Sequence, residues 1–255
     1  MSDQPFDSPL LLIGAAEKDI NEVKAFCESF TKSCEYAVIK HFDAKTKETV
    51  IRLRLKDAIP GTLRVQVSRV INDLRHALDQ AVCDGSVMLG AASATDTYFP
   101  FGSDATNFPS MVKKNCRKVR QDLLDFIVQF KPYYGGDDIL WALNRMTGRN
   151  KHQRLLGVTP ESKGLILRAE GLNIKGPMSF TPHNWNDTRN QLEFARIGEG
   201  GHLEMQLDIP LQIVIGTADV VGGQPLHAVL DQFLSKAKGI VFGIKAETAR
   251  LAAVP

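Results

Sequence analysis

Apolar residues repeat at three- and four-residue steps in several segments of the chain, and this spacing is typical of amphipathic helices. The clearest segment follows Pro60 and carries an unbroken apolar stripe from Leu63 to Val82. We expect this helix to end at Asp84-Gly85, because a glycine after the last periodic residue is a common helix stop. Similar stripes predict three further helices, over residues 9–32, 108–130 and 225–250.

One more helix is predicted after Asp137-Asp138, where four apolar residues between Ile139 and Met146 cluster within about 120° of a helical wheel. The apolar pair at residues 155–156 falls well outside that arc. We therefore predict a break near Gly148 and a junction over residues 148–152, which is a better place for function than a helix interior.

The remaining apolar patterns favour strands. Residues 35–42 and 48–55 flank a polar turn and predict an N-terminal hairpin. Alternation is strongest from Leu203 to Ile215, and Pro210 within that run suggests an edge strand or a bulge. The expected partners of this run are residues 164–168 and 191–196.

Helices followed by strands predict an α+β fold rather than a doubly wound α/β sheet. We expect a helical bundle with the N-terminal hairpin, followed by a C-terminal antiparallel sheet and a closing helix. The expected division is a mainly helical domain at residues 1–160, with the hairpin at 35–56, and a strand-rich part at residues 161–255. The last helix could equally return to the first bundle and make one compact domain.

Composition indicates the class of protein and its compartment. With 44% hydrophobic and 24% charged residues, the chain is globular rather than disordered, fibrous or a small disulfide scaffold. A net charge of +2 gives no global attraction to nucleic acid or to membranes. The four cysteines form no C-x-x-C pair, and the apolar run at residues 10–16 is too short for a signal peptide or a membrane span. These features predict a cytoplasmic protein that does not bind membranes.

The sequence lacks the common cofactor and metal motifs. It has no Walker A loop, no G-x-G-x-x-G after a strand, no H-E-x-x-H and no G-x-S-x-G. Its six histidines are scattered, and the nearest approach to metal-ligand spacing is His183-x-x-x-Asp187. We therefore predict neither a cofactor nor a metal site.

Local charge distinguishes one segment, in which five of the eight residues at 113–120 are basic. A solvated helix face would explain this pattern. The alternative is a face that contacts phosphate groups of a nucleic acid. The residues concerned are Lys113, Lys114, Arg117, Lys118 and Arg120.

Polar residues flank the apolar stripe of the helix that follows Pro60. Arg75 lies about 85° and Asp79 about 125° from the centre of the stripe, on the same side as Ser68 and Asn72. One interpretation is an ion pair that braces the helix edge, a contribution of roughly 0.2–0.5 kcal/mol.

The other interpretation is a catalytic site in which Arg75 and Asp79 face His152. The junction would also supply Asn150 and Lys151 as substrate-binding residues. Arginine, aspartate and histidine held together could position a phosphodiester and move a proton.

Five short motifs occur in one order along the chain. They are Leu74-Arg-His-Ala-Leu-Asp79, Tyr98-Phe-Pro-Phe101, Lys131-Pro-Tyr133, Leu140-Trp-Ala-Leu143 and Asn150-Lys-His152. Together they resemble an uncharacterised bacterial and phage family, over roughly residues 45–160. Gln80 and Asn150 stand where that family usually has His and Asp, so any acid–base role of those positions would be lost here. The family carries no established activity, so the resemblance implies no reaction.

A second resemblance is to HEPN domains, helical bundles that often cut RNA through an arginine and a histidine with four to six residues between them. Arg145 and His152 have six residues between them, and seven positions along a continuous helix return to within about 20° of one face. The predicted break near Gly148 would dissolve that alignment. The resemblance implies a ribonuclease in which His152 is the general acid/base and Arg145 or Arg149 holds the phosphate.

Two function classes follow from these patterns. The first is a non-enzymatic binding or assembly protein in which the motifs only lock helices together, and the departures at Gln80 and Asn150 favour it. The second is an RNA-directed protein that uses the HEPN-like pair for cleavage and the basic segment for electrostatic approach. The expected partner is accordingly RNA or another protein, and the sequence leaves the oligomeric state open.

Overall fold

The computed structural model describes residues 4–33, 35–152, 158–162, 166–167, 173–186, 189–204, 207–208, 211–216 and 220–253. Its helices are α1 (Asp7–Ser33), α2 (Gly61–Met88), α3 (Phe108–Asn115), α4 (Gln121–Val128), α5 (Asp138–His152) and α6 (Leu226–Ala252). Its strands are β1 (Tyr36–Asp43), β2 (Glu48–Leu55), β3 (Val158–Ser162), β4 (Ile166–Leu167), β5 (Asn173–Lys175), β6 (Met178–Asn186), β7 (Gln191–Ile197), β8 (His202–Glu204), β9 (Leu207–Asp208) and β10 (Leu211–Ile215). The strand pairings are antiparallel, and the predicted α+β class is confirmed.

The chain divides into two compact units, and neither unit is continuous in sequence. The helical unit comprises Met1–Val23, Thr62–Leu156 and Thr217–Pro255, and the strand unit comprises Lys24–Gly61 and Gly157–Gly216. This division differs from the expected boundary at residue 160. The reason is that β2 of the N-terminal hairpin pairs with β7, whereas α6 packs on α4 and α5.

The helical unit has its core along the apolar stripe of α2, as the spacing predicts. Leu74 and Leu78 are fully buried there, and Phe233 of α6 is fully buried as well. Burying such side chains contributes about 1.5–3 kcal/mol each. The core of this unit therefore joins helices from the middle and the end of the chain.

The α2 helix continues past Asp84-Gly85 to Met88, so the predicted stop is wrong. Gly85 has a packing role instead, because a Cβ atom at this position would lie 2.8 Å from Thr248 Oγ1 of α6. The chain turns only after the helix, at Gly90, whose φ of +96° favours glycine.

The helix predicted over residues 108–130 is two helices, α3 and α4, separated by residues 116–120. Cys116 and Val119 are both buried within the connecting turn, and the Val119 N–H donates to the Cys116 carbonyl at 3.1 Å. A buried pair three residues apart fits a turn as well as a helix. The periodicity therefore carries across the turn unchanged.

The α5 helix passes through Gly148 to His152 without interruption, so the predicted break and junction are wrong. A Cβ atom at Gly148 would meet nothing within 4 Å. Loss of the apolar phase therefore does not mark the end of the helix.

The strand unit is built on a four-stranded sheet in the order β1-β2-β7-β6. The β1–β2 hairpin forms as predicted, with Tyr36 opposite Leu55 and Asp43 opposite Glu48. Ile51 and Leu53 of β2 are buried, and so is Leu192 of the neighbouring β7. The hairpin is thus half of the main sheet.

The predicted run from Leu203 to Ile215 contains β8, β9 and β10, which pair with β5, β4 and β3 in turn. The pairing of β4 with β9 agrees with the expected partner at residues 164–168. The other expected partner, β7, pairs with β2 and β6 instead. Pro210 lies outside the described residues.

Candidate functional site

Arg75 and Asp79 form an ion pair on the flank of α2, as their four-residue spacing predicts. The two side chains keep only 14% and 19% of their surface exposed. Arg75 also donates from Nε to Asn144 Oδ1 of α5 at 3.3 Å. Its guanidinium carbon lies 4.2 Å from the centroid of the Phe101 ring, within cation–π range. Arg75 therefore has partners on three sides.

The Asp79 carboxylate has a second partner in the loop that follows α2. Its Oδ1 atom accepts the backbone N–H of Phe99 at 2.9 Å as well as the Arg75 guanidinium. The Phe99 ring is fully buried and packs 4.9 Å from the Phe101 ring. A single carboxylate oxygen thus ties the loop to α2.

Two thiols donate hydrogen bonds to backbone carbonyls of the same loop. Cys83 Sγ donates to the Thr97 carbonyl at 3.1 Å, and Cys116 Sγ donates to the Tyr98 carbonyl at 3.4 Å. Burial, together with the nearby Asp79 charge, raises the pKa of Cys83 to about 11 and that of Cys116 to about 12. Both thiols are therefore protonated donors at neutral pH and poor nucleophiles.

The segments that carry the family-like motifs meet in this region of the helical unit. The Gly102 N–H donates to the Pro132 carbonyl at 3.0 Å. The rings of Phe108 and Tyr133 pack 4.9 Å apart, and those of Tyr134 and Trp141 pack 5.1 Å apart. Four of the motifs, together with residues beside them in sequence, thus form one network of contacts.

The HEPN-like pair lies on one continuous helix. The Arg145 guanidinium is 5.7 Å from the centroid of the Trp141 ring. His152 follows seven positions later on the same helix, so the break that would have dissolved the alignment is absent from α5. The side chains of Arg149, Asn150, Lys151 and His152 lie outside the described residues.

His152 lies on α5, beyond the residue of that helix that contacts Arg75. Arg75 contacts Asn144, and His152 follows Asn144 by two turns, about 12 Å of axial rise. A shared site of Arg75, Asp79 and His152 stays a prediction.

The basic segment lies at the end of α3 and in the turn before α4, and its five cationic side chains are exposed. Lys118 Nζ donates to the Thr95 carbonyl at 2.7 Å. Arg120 pairs with Asp122 at 2.8 Å and also donates to the Leu251 carbonyl at 3.2 Å. Lys113, Lys114 and Arg117 complete the exposed basic set. Part of the positive charge is thus held by contacts within the chain.

A second polar group on α2 includes an arginine that the sequence pattern did not single out. Arg64 Nε, Ser68 Oγ and Asn72 Oδ1 are buried and have no hydrogen-bond partner among the described residues. The three residues follow one another at four-residue steps, which places them on the same flank as Arg75 and Asp79. That spacing was the signal in the sequence, but the missing partners could be seen only in the structure.

The described residues contain no cluster of three or more His, Cys, Asp or Glu side chains arranged to hold a metal ion. Within the same residues, every helix is too short or too polar to cross a bilayer. Comparison with family models, with curated proteins and with solved structures finds no match to this chain.

Proposed function

We propose that this chain is a cytoplasmic, non-enzymatic binding or assembly protein, in which the helical unit is a rigid scaffold. The observation that carries this proposal is the double use of Asp79 Oδ1, which accepts both the Phe99 N–H and the Arg75 guanidinium. These contacts connect α2 to the loop that follows it. Arg75 extends the connection to α5 through Asn144.

The same contacts argue against a catalytic role for the Arg75–Asp79 pair. A general base needs a lone pair within reach of the substrate proton, whereas the Asp79 side chain is only 19% exposed and accepts from the Phe99 N–H and the Arg75 guanidinium of the chain itself. An arginine that binds phosphate presents its planar fork to the ligand, whereas the Arg75 guanidinium donates to Asp79 and Asn144 and lies over the Phe101 ring. A structural lock accounts for all of these contacts.

The test compares stability with RNA chemistry in one set of variants. Arg75→Ala and Asp79→Ala should each lower the melting temperature clearly, because each leaves a buried charged group unpaired. The wild type should leave a mixed RNA pool intact. Cleavage that both variants abolish without a change in melting temperature would contradict the proposal.

A second candidate function, a HEPN-like ribonuclease, is favoured by one specific observation. The α5 helix is continuous from Arg145 to His152, so seven helical positions return both residues to nearly the same face. In this candidate His152 moves the proton, Arg145 or Arg149 holds the phosphate, and the basic segment at residues 113–120 attracts the RNA. The partner would then be RNA.

His152→Ala separates the two candidates. If His152 is a general acid/base, the variant should fold normally and lose roughly 10²–10⁴-fold of the RNA cleavage rate. RNA binding should also weaken by orders of magnitude between about 50 and 200 mM salt if several phosphates are neutralised. An intact RNA pool and no binding at low salt would leave the non-enzymatic function.

A further inference from the structure

A cleft with a volume of about 380 Å³ opens in the strand unit, between the β1–β2 turn and the turn that follows β7. One wall consists of Phe42, Ala44, Lys47 and Thr49, and residues 198–201 form the other. The volume falls within the range of about 300–1,000 Å³ that is typical of small-molecule sites. The cleft therefore has room for a ligand of the size of an amino acid.

The register of the sheet brings two opposite charges to this cleft. Thr49 of β2 lies opposite Ile197 of β7. Two further steps along this antiparallel ladder lead to Lys47 on one side and Glu199 on the other, and both residues line the cleft. Cross-strand neighbours of opposite charge attract each other and commonly pair. The register therefore predicts an ion pair between Lys47 and Glu199.

That ion pair is not formed, although the adjacent residues of the same two strands do pair. Arg196 Nη1 lies 3.2 Å from Glu48 Oε2. By contrast, the side chains of Lys47 and Glu199 have neither a hydrogen-bond partner nor an ion-pair partner among the described residues. Two opposite charges thus line one cleft, and both remain available to a ligand.

Lys47 also has a backbone conformation that is unfavourable for lysine. Its φ of +56° lies in the left-handed region that favours glycine. Strained residues of this kind cluster at functional sites, where the strain is retained for the sake of the side chain. A lysine rather than a glycine at this position of the turn therefore favours a use for its ammonium group.

The turn on the other wall is fixed by backbone hydrogen bonds. The Gly198 N–H donates to the Pro177 carbonyl at 2.9 Å, and the Gly201 N–H donates to the Gly198 carbonyl at 3.0 Å. Gly200, with a φ of +74°, gives the turn the left-handed residue that it requires. Glu199 is thus held in a preorganised turn, which lowers the entropic cost of binding a ligand.

The lining residues define the chemistry of the ligand. The Lys47 ammonium suits a carboxylate, and the Glu199 carboxylate suits an ammonium group. A simple anion would be repelled by Glu199, and a simple cation would be repelled by Lys47. The Phe42 side chain, in a residue that is 60% exposed, offers a ring on which an apolar group can pack. A zwitterion with an apolar side chain matches all three residues.

We propose that this cleft binds a free α-amino acid with a large apolar side chain. The carboxylate of the amino acid lies at Lys47, its ammonium group lies at Glu199, and its side chain packs on Phe42. Exposed ion pairs contribute little free energy, so we expect a Kd of about 1 mM. The inference goes beyond the proposed scaffold function, because the site lies in the strand unit and uses no residue of the Arg75–Asp79 lock.

The test titrates L-phenylalanine into the full chain and follows the backbone amides by ¹⁵N NMR. The signals of residues 42–49 and 198–201 should shift. 3-Phenylpropionate lacks the ammonium group and phenethylamine lacks the carboxylate, so each should bind about 3–10-fold more weakly. Glycine keeps both charges but has no apolar side chain, and it should also bind more weakly.

Four variants assign the contacts. Lys47→Gln and Glu199→Gln should each weaken L-phenylalanine binding about 3–10-fold. Lys45→Gln removes the same charge from an exposed position of the same hairpin turn that does not line the cleft, and it should leave the affinity unchanged. Phe42→Ala should weaken L-phenylalanine but not glycine.

Lys47→Gly provides a readout that a merely structural lysine would not give. It should raise the melting temperature, because glycine relieves the positive φ, and yet weaken binding. Equal losses of affinity in Lys45→Gln and Lys47→Gln would overturn the site. So would 3-phenylpropionate binding as tightly as L-phenylalanine, or no shift at residues 42–49 and 198–201 up to about 10 mM, ten times the expected Kd. These outcomes do not affect the lock variants, so failure of the amino-acid site can be distinguished from failure of the scaffold function.

Discussion

Ser68 and Ser86 lie on one line of α2, 18 positions and five helical turns apart, and their hydroxyl groups have different surroundings. Ser86 is 1% exposed and donates to the Val82 carbonyl one turn earlier at 2.7 Å. Ser68 is 5% exposed and has no partner among the described residues. The same residue type at the same angle of the same helix is thus satisfied at one end and unsatisfied at the other.

The charged residues on the polar flank of α2 repeat this contrast. Arg75 meets Asp79, Asn144 and the Phe101 ring, whereas Arg64 Nε is buried without an acceptor in the described part of the chain. Satisfied polar groups at the border of a core lock elements together. Unsatisfied ones destabilise the protein, so the two halves of the flank have opposite expected responses to mutation.

The largest expected effect comes from breaking the satisfied half. Asp79→Ala removes the acceptor of the Phe99 N–H and leaves Arg75 without its counter-charge. We expect a loss of about 2–3 kcal/mol in the free energy of unfolding, measured by urea denaturation. Asp125→Ala, at an exposed position of α4, should change it by less than about 0.5 kcal/mol. Similar losses in both variants would refute the lock.

Arg75→Lys tests the geometry of the lock while keeping its charge. Lysine cannot reproduce the guanidinium plane over Phe101 or the Nε–H donor to Asn144. We expect a loss of about 1–2 kcal/mol in thermal or chemical denaturation. Arg117→Lys, in an exposed loop, is the matched control. If Arg75→Lys is as stable as the wild type, only the charge of Arg75 matters.

The two serines should respond with opposite signs. Ser68→Ala should stabilise the protein by roughly 0.5–1.5 kcal/mol, because a buried hydroxyl without a partner disappears. Ser86→Ala should destabilise it by roughly 0.5–1.5 kcal/mol, since it removes a made hydrogen bond. Differential scanning fluorimetry can rank the pair. A loss of stability in Ser68→Ala would mean that the hydroxyl has a partner in solution.

The smallest effect is a pH dependence on the opposite side of α2. Burial raises the pKa of Asp73 above its ordinary value, against the opposing effect of Arg69. The folded protein therefore holds this proton more tightly than the unfolded chain, and stability falls as the pH rises through the raised pKa. Asp73→Asn should raise the free energy of unfolding by less than about 1 kcal/mol at pH 7 and leave it unchanged near pH 3. Denaturation at both pH values checks this, and an equal gain at both would exclude titration as the cause.

Much of the fold could be predicted from the spacing of hydrophobic residues along the chain. The helical stripe from Leu63 to Val82 and the hairpin around residues 43–48 are local patterns, so α2, β1 and β2 form where the sequence indicates. The errors arose where a local signal had a tertiary cause. Gly85 indicates a helix stop, yet it permits close approach of α6 through Thr248. Gly148 coincides with the end of an apolar face, yet α5 continues through it.

The candidate site likewise has features that the sequence predicts and features that only tertiary packing decides. Helical geometry determined that Arg75 and Asp79 would pair and that Ser68 and Asn72 would share their flank, because positions three and four apart on a helix are neighbours. Only the tertiary structure decided which of these groups gain partners. The Phe99 N–H, the Phe101 ring and the Asn144 amide come from a loop and a helix distant in sequence, and chain order does not encode their distance from α2. The sequence therefore placed the polar flank, and packing divided it into a lock and an unsatisfied half.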